Sequence, residues 1–86
     1  MQLAKHVKFR EEQFGGVLFE TQSEKVFTLN EGAAAIVREL PKGGDAHAIA
    51  ARLKSRYQDP SATIEADVAA LLDDLHRRGL ITETAA

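Results

Sequence analysis

At Asn30 the spacing of apolar side chains changes from every second residue to every third or fourth. That change divides the chain into strands followed by helices. Ahead of it, Val7 and Phe9 alternate with Lys8 and Arg10, the pattern of a half-buried strand. Gln13-Phe14-Gly15-Gly16 interrupts the run, and its paired glycines suit a turn or bulge. Val17, Leu18 and Phe19 form a second strand ending at Glu20, and residues 21–25 are polar and few enough for a hairpin loop. Val26, Phe27, Thr28 and Leu29 form the third strand. Strand side chains alternate, so if Phe27 and Leu29 face the core, Val26 and Thr28 face outward. The expected sheet is a three-stranded antiparallel meander.

Beyond Asn30 the helical period takes over. Asn30 is a good N-cap, and Glu31 suits the positive end of the helix dipole. Ala33, Ile36, Val37 and Leu40 make one apolar stripe, with Gly32 the weak helix former among them. Pro41 ends this helix, and Lys42-Gly43-Gly44 connects it to a second one capped by Asp45. The second stripe is Ala46, Ile49, Ala50, Leu53 and Tyr57, stopping near Asp59-Pro60. Either Ser61 or Thr63 opens a third helix carrying Ile64, Val68, Leu71, Leu72 and Leu75. Gly79 after Arg77-Arg78 is a C-terminal signal, Leu80 and Ile81 can fold back onto the core, and residues 82–86 should fray. Three strands followed by three helices predict a single α+β domain over residues 1–86, with its core at about 7–81.

The composition fits one small globular domain: 86 residues, 44% hydrophobic and 28% charged. Without cysteine the chain offers no disulfide, zinc thiolate or thiol nucleophile. No apolar run is long enough for a signal peptide or a bilayer span, so the expectation is a cytoplasmic protein with no membrane partner. The net charge of −2 argues against nucleic acid, whose binders draw most of their affinity from phosphate neutralisation. Over residues 63–78 the acids Glu65, Asp67, Asp73 and Asp74 outnumber the bases Arg77 and Arg78. A third helix so charged would be repelled by phosphates if it were the recognition helix of a winged helix-turn-helix.

Catalytic patterns are lacking. His6, His47 and His76 have no histidine three or four residues away, and adjacent helical residues such as Asp73 and Asp74 diverge by about 100°. Neither Gly15-Gly16 nor Gly43-Gly44 completes a phosphate loop, and Ser23, Ser55 and Ser61 lack a nucleophile elbow. The expectation is a protein that is not an enzyme and has no metal or cofactor. One open feature remains. In meander order the strand of Val26, Phe27, Thr28 and Leu29 is a sheet edge with unpaired backbone groups, able to accept another strand.

Val26-Phe27-Thr28-Leu29-Asn30 followed by Ala33-Ala34 and Ile36 resembles the strand-to-helix entry of the PqqD-like family. Ile49-Ala50, Leu53 and Tyr57 resemble its second helix, and Asp67-Val68, Leu71-Leu72, Leu75 and Gly79-Leu80-Ile81 its closing helix. The resemblance runs from about Phe9 to Ile81. It implies a winged-helix-like recognition element for ribosomally made, post-translationally modified peptides. Such a chaperone binds the leader of a precursor peptide and presents it to a maturase, commonly a radical S-adenosylmethionine enzyme.

In the family the leader adds as a strand to the third strand, in the groove beside the third helix. Carried onto this chain, the peptide-binding residues are Val26, Phe27, Thr28 and Leu29, with Asp67, Leu71, Asp74, Leu75 and Arg78 on the helix. The opposite flank, with Leu72 and His76, is the alternative. Phe14-Gly15-Gly16-Val17-Leu18-Phe19 is closer to stand-alone chaperones of other radical maturases, and Pro41-Lys42-Gly43-Gly44-Asp45 is longer than the family's usual turn. Two rival readings stand beside this one: a DNA-binding winged helix, and a homodimer formed by self-pairing of the same edge.

Overall fold

The computed structural model describes residues 1–57 and 63–82. Strands β1 (Gln2–Leu3), β2 (Val7–Glu12), β3 (Gly15–Glu20) and β4 (Lys25–Asn30) precede helices α1 (Glu31–Glu39), α2 (Ala46–Arg56) and α3 (Ile64–Arg77). A 3-10 turn over Leu40–Lys42 follows α1, and a short strand β5 (Ile81–Thr82) follows α3. The main sheet is antiparallel in the order β2-β3-β4, the expected meander, with α1 packed on β3 and β4.

Its inner face carries Val7, Leu18 and Leu29 in the core, with Phe9 and Phe27 half-buried against it. Val26 and Thr28 point outward, as the period of two requires. The turn between β2 and β3 is Gln13–Phe14, and the glycines expected to form it belong to β3. Gly15 has φ +145°, and a Cβ there would lie 2.3 Å from the Leu29 carbonyl oxygen. Gly16 leaves room for the Phe9 ring, which a Cβ would meet at 2.5 Å.

Register decides which backbone groups of β4 are open. The Thr21 N–H donates to the His6 carbonyl at 2.8 Å, one step beyond the Val7–Glu20 pair. Hydrogen-bonded and non-bonded pairs alternate along an antiparallel ladder. Lys8–Phe19, Arg10–Val17 and Glu12–Gly15 are therefore the bonded pairs of β2 and β3. Gly16, Leu18 and Glu20 then turn their backbone groups to β4, where they meet Leu29, Phe27 and Lys25. Val26 and Thr28 are left with N–H and C=O groups facing the open side of the sheet.

The helices start and stop for local reasons. Asn30 Oδ1 accepts from Ala33 N–H at 2.8 Å, and Asp45 Oδ1 from Ala48 N–H at 3.0 Å, so both expected caps are in place. Thr63 stands at the N-cap of α3, while Ser61 and the expected stop at Asp59-Pro60 lie outside the described residues. The end of α3 is a Schellman motif: Gly79 has φ +74°, its N–H donates to His76, and Leu80 N–H donates to Leu75. This reversal buries Leu80 and Ile81 as expected and lets β5 pair with β1. Thr82, read as fraying, pairs with Gln2, and residues 83–86 lie outside the described residues.

Two stripe residues depart from the sequence reading. Ala34 rather than Ala33 is fully buried on α1. Tyr57 is 48% exposed, because α2 stops at Arg56 and the backbone of Tyr57 is extended, which takes the ring off the stripe.

A buried carboxylate links the helices. Glu39 is 0% exposed, and its oxygens accept from Arg52 at 2.8 Å and from Lys42 and Arg56 at 3.1 Å each. Arg52 also donates to the carbonyls of Glu39 and Gly43, tying α1, the 3-10 turn and α2 together. Burial pushes the Glu39 carboxyl up, but the Arg52 and Lys42 hydrogen bonds and the charges of Lys42 and Arg56 hold it below the ordinary range.

Candidate functional site

The open edge of β4 runs beside one flank of α3. On its inner face, the Arg78 guanidinium carbon lies 5.5 Å from the centre of the Phe27 ring, a cation–π contact. Arg78 Nε in turn donates to Asp74 Oδ2 at 3.0 Å. Phe27, Asp74 and Arg78, predicted from the sequence as site residues, are thus joined across the space between strand and helix.

At the other end of β4 a cleft of about 690 Å³ opens between α1, α2 and α3. Asn30 and Glu31 stand where β4 passes into α1, Ala33, Ala35 and Ile36 form the α1 wall, and Leu53 and Tyr57 come from the end of α2. Ile64, Asp67, Val68 and Leu71 form the α3 wall. Helical residues three and four apart share a face, so 64, 67, 71, 74 and 78 make one flank, turned to both the cleft and β4. Of the alternative flank, His76 is exposed and Leu72 is a core residue at 3% exposure.

The remaining predicted positions divide by burial. Val26 at 57% exposure and Thr28 are open on the outer face. Leu29 and Leu75 are packed in the core at 5% and 2%, so their side chains form the floor beneath the groove. Asp67 is exposed and Leu71 half-buried. Sequence reasoning did not find the cleft residues Ala33, Ala35 and Tyr57 as site residues. The stripe pattern had assigned Ala33 and Tyr57 to the core.

Charge is distributed unevenly around the groove. Glu65 is held below the ordinary carboxylate range by the hydrogen bond and charge of Lys54, 2.9 Å away, with His47 assisting. Glu11 is paired with Arg38, and Asp73 with Arg77 at 3.1 Å. Among the described residues, Glu31 and Asp67 form no ion pair, and no three His, Asp or Glu side chains are placed to hold a metal ion. No described helix is long and apolar enough to cross a membrane.

The structure thus sets an open strand edge beside an amphipathic helix, with a largely apolar cleft at its end. The family profile of Coenzyme PQQ synthesis protein D (PqqD) matches residues 15–81, and the chain belongs to that family. Its fold is similar to that of a lasso peptide synthetase B1 solved in complex with the leader peptide. The TM-score is 0.79 at 29% identity, covering 95% of this chain and 96% of the other. It also resembles TbiB1 in complex with the TbiA(beta) leader peptide, with a TM-score of 0.81 at 22% identity over 100% of both chains. No curated protein sequence matches it.

Proposed function

We propose that this protein is a non-catalytic peptide chaperone: it binds the leader of a ribosomally made precursor peptide as an added strand on β4 and presents it to a maturation enzyme in the cytoplasm. The observation that carries the reading is the register of β4, which leaves the N–H and C=O groups of Val26 and Thr28 facing the groove side of the sheet. Those four groups can contribute about 0.5–1.5 kcal/mol per hydrogen bond, so side chains must supply the rest of the affinity and the selectivity. On the helix that part falls to Asp67, Leu71, Asp74 and Arg78, with Phe27, Leu29 and Leu75 as the floor. The leader-bound lasso peptide synthetase B1 supports the ligand class.

The enzyme receiving the peptide is the finer part of the proposal. The PqqD-like resemblance favours a radical S-adenosylmethionine maturase. The 29% identity to a lasso peptide synthetase B1 favours a lasso peptide synthetase as a second reading. Co-purification of this protein with each class of enzyme encoded beside its gene separates the two.

The binding model is tested with a fluorescent peptide from a precursor gene adjacent to this one. Val26→Pro and Thr28→Pro each delete one outward donor while sparing the ladder to β3, since proline is tolerated where an edge N–H faces solvent. Each should weaken binding roughly 2- to 12-fold with the fold intact by circular dichroism. Leu29→Pro removes a donor to β3 and should instead lower stability. Full affinity in both folded edge variants would falsify strand addition.

A further inference from the structure

Asn30 is both the last residue of β4 and part of the cleft wall. A peptide strand added along Val26 and Thr28 would run toward the cleft at the end of β4. What it meets there is apolar below and acidic above. Ile36 and Leu53 are buried floor residues, Leu71 is half-buried, and Ala33 is too small to fill the space in front of them. A volume of about 690 Å³ lies within the ordinary range for ligand sites and has room for a large side chain.

The acidity is open rather than spent. Glu31 and Asp67, both exposed and both on the cleft wall, have no cation of the chain against them among the described residues. Among the described residues Glu11, Glu65, Asp73 and Asp74 are each paired, and Arg38, the one cation of the described wall, is taken by Glu11. Each free carboxylate also sits in the first turn of a helix, where the dipole favours it in the unliganded protein.

We infer that the cleft reads two neighbouring residues of the bound peptide, a large apolar one and a lysine or arginine, in the segment that leaves β4 at Asn30. The apolar side chain fills the space over Ile36, Leu53 and Leu71, and the cation meets Glu31 and Asp67. This rests on strand addition to β4 for the approach of the peptide.

The probe is a displayed library of randomised 12-residue peptides, selected on the immobilised full chain. The expected result is an enriched apolar–basic pair at a fixed offset from a β-forming run. Against a Glu31→Lys/Asp67→Lys variant, whose exposed positions leave the core untouched, those peptides should bind about 10-fold more weakly. Reselection on that variant should exchange the basic residue for an acidic one. Ala33→Phe should remove the preference for the large apolar residue.

Enriched peptides without the pair, or the same peptides from the charge-reversed variant, would overturn the inference. If such peptides still lose binding on Thr28→Pro, strand addition stands without the cleft reading. Peptides that carry the pair yet bind Thr28→Pro at full strength keep the cleft and remove the edge. No enrichment at all overturns both.

Discussion

A carboxylate held at 0% exposure costs several kcal/mol unless charged partners and hydrogen bonds offset its desolvation. Glu39 has three such partners, and they stand 3, 13 and 17 residues away in the chain. Only Lys42 lies within reach of a local sequence pattern, which is why a reading by helical stripes passes over Glu39. The asparagine and aspartate caps were legible for the opposite reason: each closes its bond to a backbone N–H three residues on. Because the Glu39 carboxyl is held below its ordinary value of 4.5, its contribution to stability is complete above that pH and is lost as pH falls through the lower folded value. Glu39→Gln should cost roughly 1–3 kcal/mol at neutral pH in urea unfolding. The variant should also lose less stability than the parent protein between pH 5 and the acid limit; parallel pH profiles would show that this carboxylate does not carry the acid sensitivity.

Among the elements of the described residues, the three α-helices and three of the five strands could be read from periodicity because each is long enough to show a period. The strands β1 and β5 have two residues apiece, and two residues carry none. Their pairing depends on the Schellman reversal at Gly79, which brings Ile81 opposite Leu3. The glycines of β3 were read as turn formers, but they act by allowing close approach, Gly15 to β4 and Gly16 to the Phe9 ring. Gly15→Ala should therefore cost more than about 1 kcal/mol, since it combines a positive φ with contact at the Leu29 carbonyl. It should also displace the Leu29 end of the site, seen as changed amide shifts along β4. A variant as stable as the parent with unshifted β4 amides would mean that β4 does not depend on this approach.

For the whole molecule, the candidate site lies between parts of the chain that the sequence presents separately. The edge was legible from strand order, and its open residues follow once the register is known. The cleft was not, because its walls come from α1, α2 and α3 and its partly exposed alanines look like core positions. The acidic character of α3 was visible from the start and bears on the DNA-binding rival. Two carboxylates near the groove with no ion pair among the described residues, and a net charge of −2, predict no binding of a 20-base-pair duplex in anisotropy titrations at 50 mM salt. Binding that falls steeply between 50 and 200 mM salt would restore that rival.

Tyr57 on the cleft wall has an optical consequence. It is the sole tyrosine of a chain that contains no tryptophan. Ultraviolet emission of the native protein thus originates almost entirely from one ring beside the cleft. Tyrosine emission responds little to polarity, but a tryptophan-bearing peptide in the cleft would quench it by energy transfer. The unmodified protein is in this way its own spectroscopic reporter of occupancy.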